Sequence, residues 1–523
     1  MRPKKFSILL IIFLSFTISS SVFSQNNYWV FFKDKKDVTF NPYQYFDNKA
    51  IERRVSLGIS LYDSTDFPLN NNYKKSIVSL CDSVINESRW FNAMAIKATN
   101  NQIASIKNLS FVEEVQLINT YAIYTSYQND FDTSVLTTKR DLLKQQIEAM
   151  GGNLFIANGI DGKGIRIAIF DGGFPTVDKN PVFEHIRKDN RIIKTWDFTK
   201  NKEFVYGYNL HGTMVMSCIG GMINGVKLGL ATGAEFLLAR TEVNTEPYSE
   251  EVNWLAAVEW ADKNGADIIN SSLGYTYHRY FNNQMDGKTS LVSRAANLAA
   301  RKGMLVVNAA GNDGDNNWKY IGTPADADSA LSIGGIDPKT NYHISFSSLG
   351  PTSDKRMKPN VCAFGSVVVA KKEGIGTSQG TSFSSPLVAG FAACAWQLDR
   401  TLTNMQLFKE IEKSANLYPY FDYAHGYGVP QANYFINKST SPKEPTFTFN
   451  VENNELKVAI DSTFFDESLL FYYNIEDSNG MLEEYYVLSV NQKDILQLDL
   501  SKYSKGDVIN FHYNYYTTSY KIN

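Results

Sequence analysis

The sequence predicts an α/β protein: a parallel sheet covered by helices on both faces, with a small α/β module before it and a β-sandwich after it. Three observations predict this. Between residues 151 and 437, continuous apolar runs alternate with amphipathic stretches, the pattern of strands buried on both faces. Ahead of them, residues 25–123 hold strand-like runs around one capped helix. Behind them, residues 446–523 hold only short strand-like runs without a helical period. At 523 residues the chain exceeds what one core ordinarily serves, so several domains are expected. A net charge of −3 gives no electrostatic case for nucleic acid or an anionic membrane as partner, which leaves proteins, peptides or small substrates.

Residues 1–24 carry Arg2, Lys4 and Lys5, an apolar run Ile8 to Phe16, and small residues Val22 and Ser24 ahead of a cut. That is the layout of a secretory signal peptide, too short for a spanning helix, so an exported chain is expected: extracellular, at the cell surface, or periplasmic. No cysteine follows the apolar run, so no lipid anchor is expected. Cys81, Cys218, Cys362 and Cys394 are too few for a disulfide framework and read as small buried residues. In the module, Tyr28 to Phe32 reads as a strand, "WFNAMAIKA" as another and "FVEEVQL" as a third. Thr99 to Gln102 reads as a capping box opening a helix through Ile106. Residues 124–150 are expected to be a polar tether and lead-in. The large domain, 151–437, has strand candidates Ile165 to Phe170, Ala234 to Ala239, Ala266 to Asn270, Met304 to Ala310 and Leu331 to Ile336, with helices such as Glu250 to Asn264 and Ser290 to Lys302 between them. Residues 438–445 read as a linker.

Sites in parallel sheets gather at the carboxyl ends of the strands. The first strand candidate runs into "DGGF", placing Asp171 there, although an Asp beside turn glycines is by itself ordinary strand termination. His211 opens "HGTMVMSCIGG"; a lone His at a helix start is commonly a capping or solvated residue. Ser382 lies in "GTSFSSP", a strand-less loop entering a helix, where hydroxyls before a Pro also suit a helix cap. Together, Asp171, His211 and Ser382 occur in one of the few chain orders in which an orienting acid, a base and a nucleophile assemble on an α/β sheet. Between base and nucleophile, "VVNAAGNDG" ends a buried strand at Asn312, whose amide suits an oxyanion; a plain turn is the competing reading.

With these motifs together the chain resembles the subtilisin-like serine peptidases over roughly Gly151 to Ile436. "DGGF", "HGTMV", "NSSLG", "NAAGNDG" and "GTSFSSP" stand in the family's order, and Phe346 to Gly365 looks like its approach to the serine. The resemblance implies that Asp171 orients His211, that His211 acts as general base and then acid, and that Ser382 attacks. Asn312 and the backbone N–H of Ser382 would hold the oxyanion. It implies further that Ser272, Leu273 and Gly274, with Ala309, Ala310 and Gly311, flank an extended peptide substrate as edge strands. Gly322 would wall the primary pocket and leave room for a large apolar side chain. Gly172 stands where the family often has a hydroxyl residue, which predicts looser support of Asp171. Residues 25–123, most clearly Arg89 to Ile118, resemble the family's propeptide, a folding chaperone and intramolecular inhibitor. The stretch after Ile118 would lie in the cleft and be cut by Ser382.

The expected function is therefore a secreted serine endopeptidase made as a zymogen, working through an acyl-enzyme on protein or peptide substrates. No cofactor is needed for that chemistry. Structural calcium is compatible with the family, but Asp313 to Asn317 lacks the Gly and bidentate Glu of a calcium loop and reads as a turn, so no metal ligand is assigned. Cys218 and Cys394, on the helices expected after His211 and Ser382, are read as buried thiols in preference to a bridge. The alternative is an inactive binding protein of the same fold at the cell surface. An α/β-hydrolase esterase would need acid and His after the nucleophile, which is the wrong order here.

Overall fold

A computed structural model describes residues 25–118, 139–243, 249–276, 279–437 and 444–523; the expected signal peptide and the cut after Ile118 lie outside the described residues. The N-terminal module forms an antiparallel sheet of β1 (Gln25–Phe32), β2 (Ser83–Ser88), β3 (Ala93–Thr99) and β4 (Val112–Ile118), in the order β2-β3-β1-β4. Helices Asn71–Val78 and Asn100–Lys107 complete a β-α-β-β-α-β unit. The capping box predicted at Thr99 is present: Gln102 Oε1 accepts the Thr99 N–H at 2.7 Å while the Thr99 hydroxyl accepts the Gln102 N–H at 3.4 Å. Between β1 and the first of these helices lies an insertion holding the helix Asn48–Ser56.

The large domain is built on seven parallel strands: β5 (Arg166–Asp171), β6 (Ile192–Asp197), β7 (Glu235–Arg240), β8 (Ile268–Ser271), β9 (Leu305–Ala309), β10 (Ala330–Ile336) and β11 (Val361–Phe364). Their order is β11-β10-β9-β8-β5-β7-β6. The five predicted runs are β5 and β7 to β10. Period-two alternation explains why they read as continuously apolar. In β5, Ile167 and Ile169 pack toward Val215, Ile219, Leu387 and Phe391 on one face, and Ala168 and Phe170 toward Val252, Trp254 and Val258 on the other. Burying each such Ile, Phe or Leu contributes about 1.5–3 kcal/mol. The helices His211–Gly220 and Thr381–Leu398 thus cover one face, and Ser249–Lys263 and Leu291–Arg301 the other. The module adds Trp29, Phe31 and Ile118 from its sheet, and Trp90 from the turn between β2 and β3, to the second of these clusters.

Two expectations change. Of the expected tether and lead-in at 124–150, residues 124–138 lie outside the described residues and the lead-in is not merely a polar connector: Lys139–Glu148 is a helix whose Leu142, Leu143 and Ile147 enter the main core, and Gln146 bonds the backbone of Leu228 and Val368. The approach to Ser382 is not strand-less either, because Ser366–Ala370 and Ile375–Gln379 form an antiparallel hairpin ahead of it. All four cysteines are free; Cys218, Cys362 and Cys394 are buried and Cys81 is partly exposed.

The C-terminal region has the expected two antiparallel sheets, one of three strands and one of four, sharing a core of Phe447, Leu456, Val458, Phe471, Ile509 and Phe511. It docks on the large domain. Leu417, Tyr420 and Tyr472 form a buried cluster across the junction, Asn474 Nδ2 donates to Phe421 O at 2.7 Å, and the Tyr342 and Ser489 hydroxyls are 2.8 Å apart. Among the described residues no helix is long and apolar enough to cross a membrane.

Candidate active site

Asp171 ends β5 and is fully buried. His211 is the first residue of its helix, where the Asn209 side chain accepts its N–H at 2.9 Å. Two glycines let the helix come this close. A Cβ on Gly212 would lie 2.4 Å from Gly173 O, and one on Gly173, at φ 141°, would lie 2.4 Å from Gly207 O. The result sets His211 Nδ1 3.0 and 2.9 Å from the two carboxylate oxygens of Asp171. The carboxylate accepts, so Nδ1 carries the proton. Burial works to lower the His211 pKa, but the charge and hydrogen bond of Asp171, with the charge of Glu242, outweigh it and hold the imidazole above its ordinary value.

The looser support predicted from Gly172 is not found. Its backbone N–H donates to Asp171 Oδ1 at 2.7 Å, and a Cβ there would lie 3.2 Å from Asn209 Cβ. The side chain that caps His211 occupies the space a hydroxyl residue would take. On the other side of this turn, Arg240, paired with buried Asp197 at 3.0 Å, donates to Gly172 O at 3.0 Å.

Ser382 lies in the first turn of Thr381–Leu398, after Gly380 at φ 138°. Pro386 explains how this turn is tied down. Proline has no N–H, so the carbonyl four residues earlier, that of Ser382, loses its helical partner. Ser272 Oγ donates to that carbonyl at 2.8 Å instead, and itself accepts from Asn270 Nδ2 at 3.1 Å, while Ser385 Oγ donates to Asn270 Oδ1 at 3.0 Å. The Ser382 hydroxyl donates to Ser272 O at 3.3 Å. His211 packs beside the next residue, its ring 5.5 Å from that of Phe383.

Asn312 follows β9, exposed at the surface. Its Oδ1 accepts the Thr381 N–H at 2.9 Å and lies 2.9 Å from the Thr381 hydroxyl. Since the N–H can only donate, the oxygen faces Thr381 and the NH₂ faces away. The Thr381 hydroxyl also accepts the Gly311 N–H at 3.3 Å, locking the Gly311–Asn312 loop to the helix that carries Ser382. Thr381 and Asn209 are the two side chains here that motif reading passes over; the hydroxyl run "GTSQGTSFSS" signals the first without distinguishing it from its neighbours.

The expected substrate rails are unequal. At Gly274 an added Cβ meets nothing within 4 Å, so that edge stands open, with Leu273 beside it held by Asn308 Nδ2 at 3.0 Å. On the other side, Ala310 N–H donates to Ile333 O at 2.9 Å and Gly311 O accepts the Ser348 N–H at 3.0 Å. Those groups are consumed inside the domain, so Ala310 and Gly311 form a wall and not an edge strand. The room expected at Gly322 is filled: a Cβ there would lie 2.5 Å from Thr276 Cγ2 and 3.1 Å from Tyr275 O. Asp313 to Asn317 is a turn, with Asn316 Nδ2 donating to Asp313 Oδ1 at 2.6 Å. Among the described residues no group of three or more His, Cys, Asp or Glu could hold a metal.

Known proteins identify the class to which this arrangement belongs. Residues 162–428 match the model of the subtilase family, and residues 27–132 match the Peptidase S8 propeptide domain of Bacteroidota. Subtilisin DY of Bacillus licheniformis is 30% identical over 274 residues, 52% of this chain and 90% of its own. Subtilisin NAT of Bacillus subtilis subsp. natto is 25% identical over 374 residues, 70% of this chain and 86% of its own. A solved cold adapted subtilisin-like serine proteinase aligns with 52% of this chain and 88% of its own at 23% identity, with a TM-score of 0.41. The chain belongs to the subtilase family: it is a serine endopeptidase with an N-terminal propeptide domain.

Proposed function

We propose that the protein is a secreted endopeptidase, made as a zymogen, whose chemistry is carried by Asp171, His211 and Ser382. The observation that supports this most is the Asp171–His211 pair, 2.9 Å apart and mostly buried, beside the turn that presents Ser382. Asp171 fixes the proton on Nδ1, which makes Nε2 the basic nitrogen. Rotation of the Ser382 side chain from Ser272 O toward His211 transfers the hydroxyl proton to Nε2 as Oγ bonds to the peptide carbonyl carbon. The resulting oxyanion meets the outward NH₂ of Asn312 and the Ser382 N–H, which has no intrahelical acceptor in the first turn. His211 then returns its proton to the leaving amine, the C–N bond breaks, and water repeats the sequence on the ester. No step uses a metal or cofactor. The substrate chain lies along the open edge at Gly274.

Export is inferred from the charged and apolar pattern of residues 1–24, and inhibition before processing from the propeptide domain ahead of the catalytic one. Nothing favours the inactive binding protein. A fluorophosphonate probe, which reacts only with an activated serine, is expected to label the wild type and spare Ser382→Ala; equal labelling, or none of either, would overturn the assignment.

A further inference from the structure

The open edge at Gly274 and the buried Asp171 are tied together by a residue that takes no part in the proposed steps. β7 ends at Arg240, and the chain then passes Asp171, where the N–H groups of Thr241 and Glu242 both donate to Asp171 O, at 2.9 and 3.4 Å. The Glu242 carboxylate bonds elsewhere: its Oε1 accepts from the Tyr275 hydroxyl at 2.9 Å and from the Thr241 hydroxyl at 3.1 Å. Tyr275 directly follows Gly274, and its N–H and C=O pair with Thr323 at 2.8 and 3.2 Å. Glu242 thus holds Asp171 by its backbone and the far end of the edge by its side chain.

Glu242 is 6% exposed and Tyr275 2%. A buried phenol needs a hydrogen-bond partner, so the Tyr275 ring stops where the carboxylate lies. Glu250 steadies that carboxylate in turn. The two carboxyls hydrogen-bond each other, which requires one of them to carry a proton, and burial raises the pKa of both. Glu250 also accepts from the Val243 N–H and from Arg279 Nη2, each at 2.9 Å, and the Arg279 guanidinium covers the Tyr275 ring at 4.4 Å. Glu251 lies 3.6 Å from the same guanidinium and accepts from the Tyr280 hydroxyl at 2.6 Å. Buried charges of this kind are a poor filling for a core, since apolar side chains of like volume are commonly as stable or more so. An apolar filling, however, would offer the Tyr275 hydroxyl no acceptor and leave the height of its ring unfixed.

We propose that Glu242 is a positioning residue of the peptidase, which sets the Ser272–Gly274 edge in register with the Asp171 turn so that an extended peptide pairing at Gly274 brings its carbonyl to Ser382. Ser272 Oγ, donating to Ser382 O at 2.8 Å, fixes the near end of this edge, and Tyr275 fixes the far end. The role rests on the substrate lying along Gly274. It is exerted through Tyr275, so a substrate too short to pair with the edge gains little from it.

A tetrapeptide anilide and a single-residue ester sharing the residue before the cut separate this role from general damage. In Glu242→Leu the ratio of their KM values, peptide over ester, is expected to rise about tenfold, the loss of one buried hydrogen bond. Tyr275→Phe is expected to reproduce that rise, and Glu242→Gln, whose carbonyl still accepts from Tyr275, to recover most of it. An unchanged ratio in Glu242→Leu, or equal rises in the Leu and Gln variants, overturns the role. Hydrogen exchange gives a readout that needs no catalysis. In the Ser382→Ala protein, adding Glu242→Leu is expected to speed exchange at the Tyr275 and Thr323 amides about tenfold, and adding Glu242→Gln to leave them slow. Protection in the Leu variant equal to that of its Ser382→Ala parent overturns the role even if the wild type cuts peptides. A wild type that resists the fluorophosphonate probe sinks the reading of the site instead, while exchange still decides what Glu242 holds.

Discussion

Among the described residues, two Asp–His pairs have nearly the same geometry. In one, His211 Nδ1 lies 3.0 and 2.9 Å from the Asp171 oxygens; in the other, His425 Nδ1 lies 3.0 Å from both oxygens of Asp422. They differ in what surrounds the ring. His425 Nε2 accepts the His343 N–H at 3.0 Å, so both its nitrogens are spent on holding a loop near the C-terminal junction. The His211 side chain keeps 14% exposure against 4% for His425, and packs beside the turn of Ser382. The contrast teaches that one carboxylate–imidazole geometry serves as a loop brace at His425 and stands beside the turn of Ser382 at His211, so the pair's surroundings and not its own distances set the two apart.

Substitutions can break or sharpen that contrast. His211→Ala is expected to lower kcat by about 10⁴-fold or more, while His425→Ala keeps kcat within a few-fold; comparable losses in steady-state assays would dissolve the distinction. Asn312→Ala should cost about 10²–10³-fold in kcat with KM nearly unchanged. In His425→Ala, the buried Asp422 carboxylate loses the imidazole N–H that faces it, and the unfolding free energy from denaturant titration is expected to fall by about 1–3 kcal/mol. Thr381→Val removes a hydroxyl that orients Asn312 but spares the backbone donor, so about a tenfold loss of kcat is expected.

The smallest effects concern pH. The proposed mechanism needs neutral His211, whose pKa is raised, so on that mechanism the acid limb of kcat/KM should lie above the ordinary imidazole value of 6.5. Stability runs the other way at this pair: the raised pKa stabilises the fold most fully below 6.5, and that contribution is lost as pH rises through the folded value. Burial works to raise the Asp422 pKa, but His425 and backbone N–H groups depress it. Its contribution is therefore present above 3.8 and lost as pH falls through the folded value, which a pH series of melting curves would reveal.

Much of this was legible in the sequence where burial is complete. The strands β5 and β7 to β10 announce themselves because both faces are covered. The edge strands do not: β6 is mostly half-exposed and carries Lys194 and Thr195, and β11 has only four residues. The helix Lys139–Glu148 has three apolar residues among ten, too few to separate it from a polar connector. At the site, Asp171, His211, Ser382 and Asn312 could be singled out by residue type and order. The support of Thr381, Asn209 and Ser272 could not, since hydroxyl and amide partners are chosen by folding over distances no local pattern records. The filled space at Gly322 escaped for the same reason, because Thr276 is brought there from the loop after β8.

The docking of the C-terminal sheets has a practical corollary. Tyr420 and Leu417 of the large domain are covered by Tyr472, and the Phe421 carbonyl by Asn474. A shortened protein ending near residue 437 would bare an aromatic, carbonyl-bearing face to solvent, and is expected to clump during recombinant production even though every group needed for cleavage is still encoded.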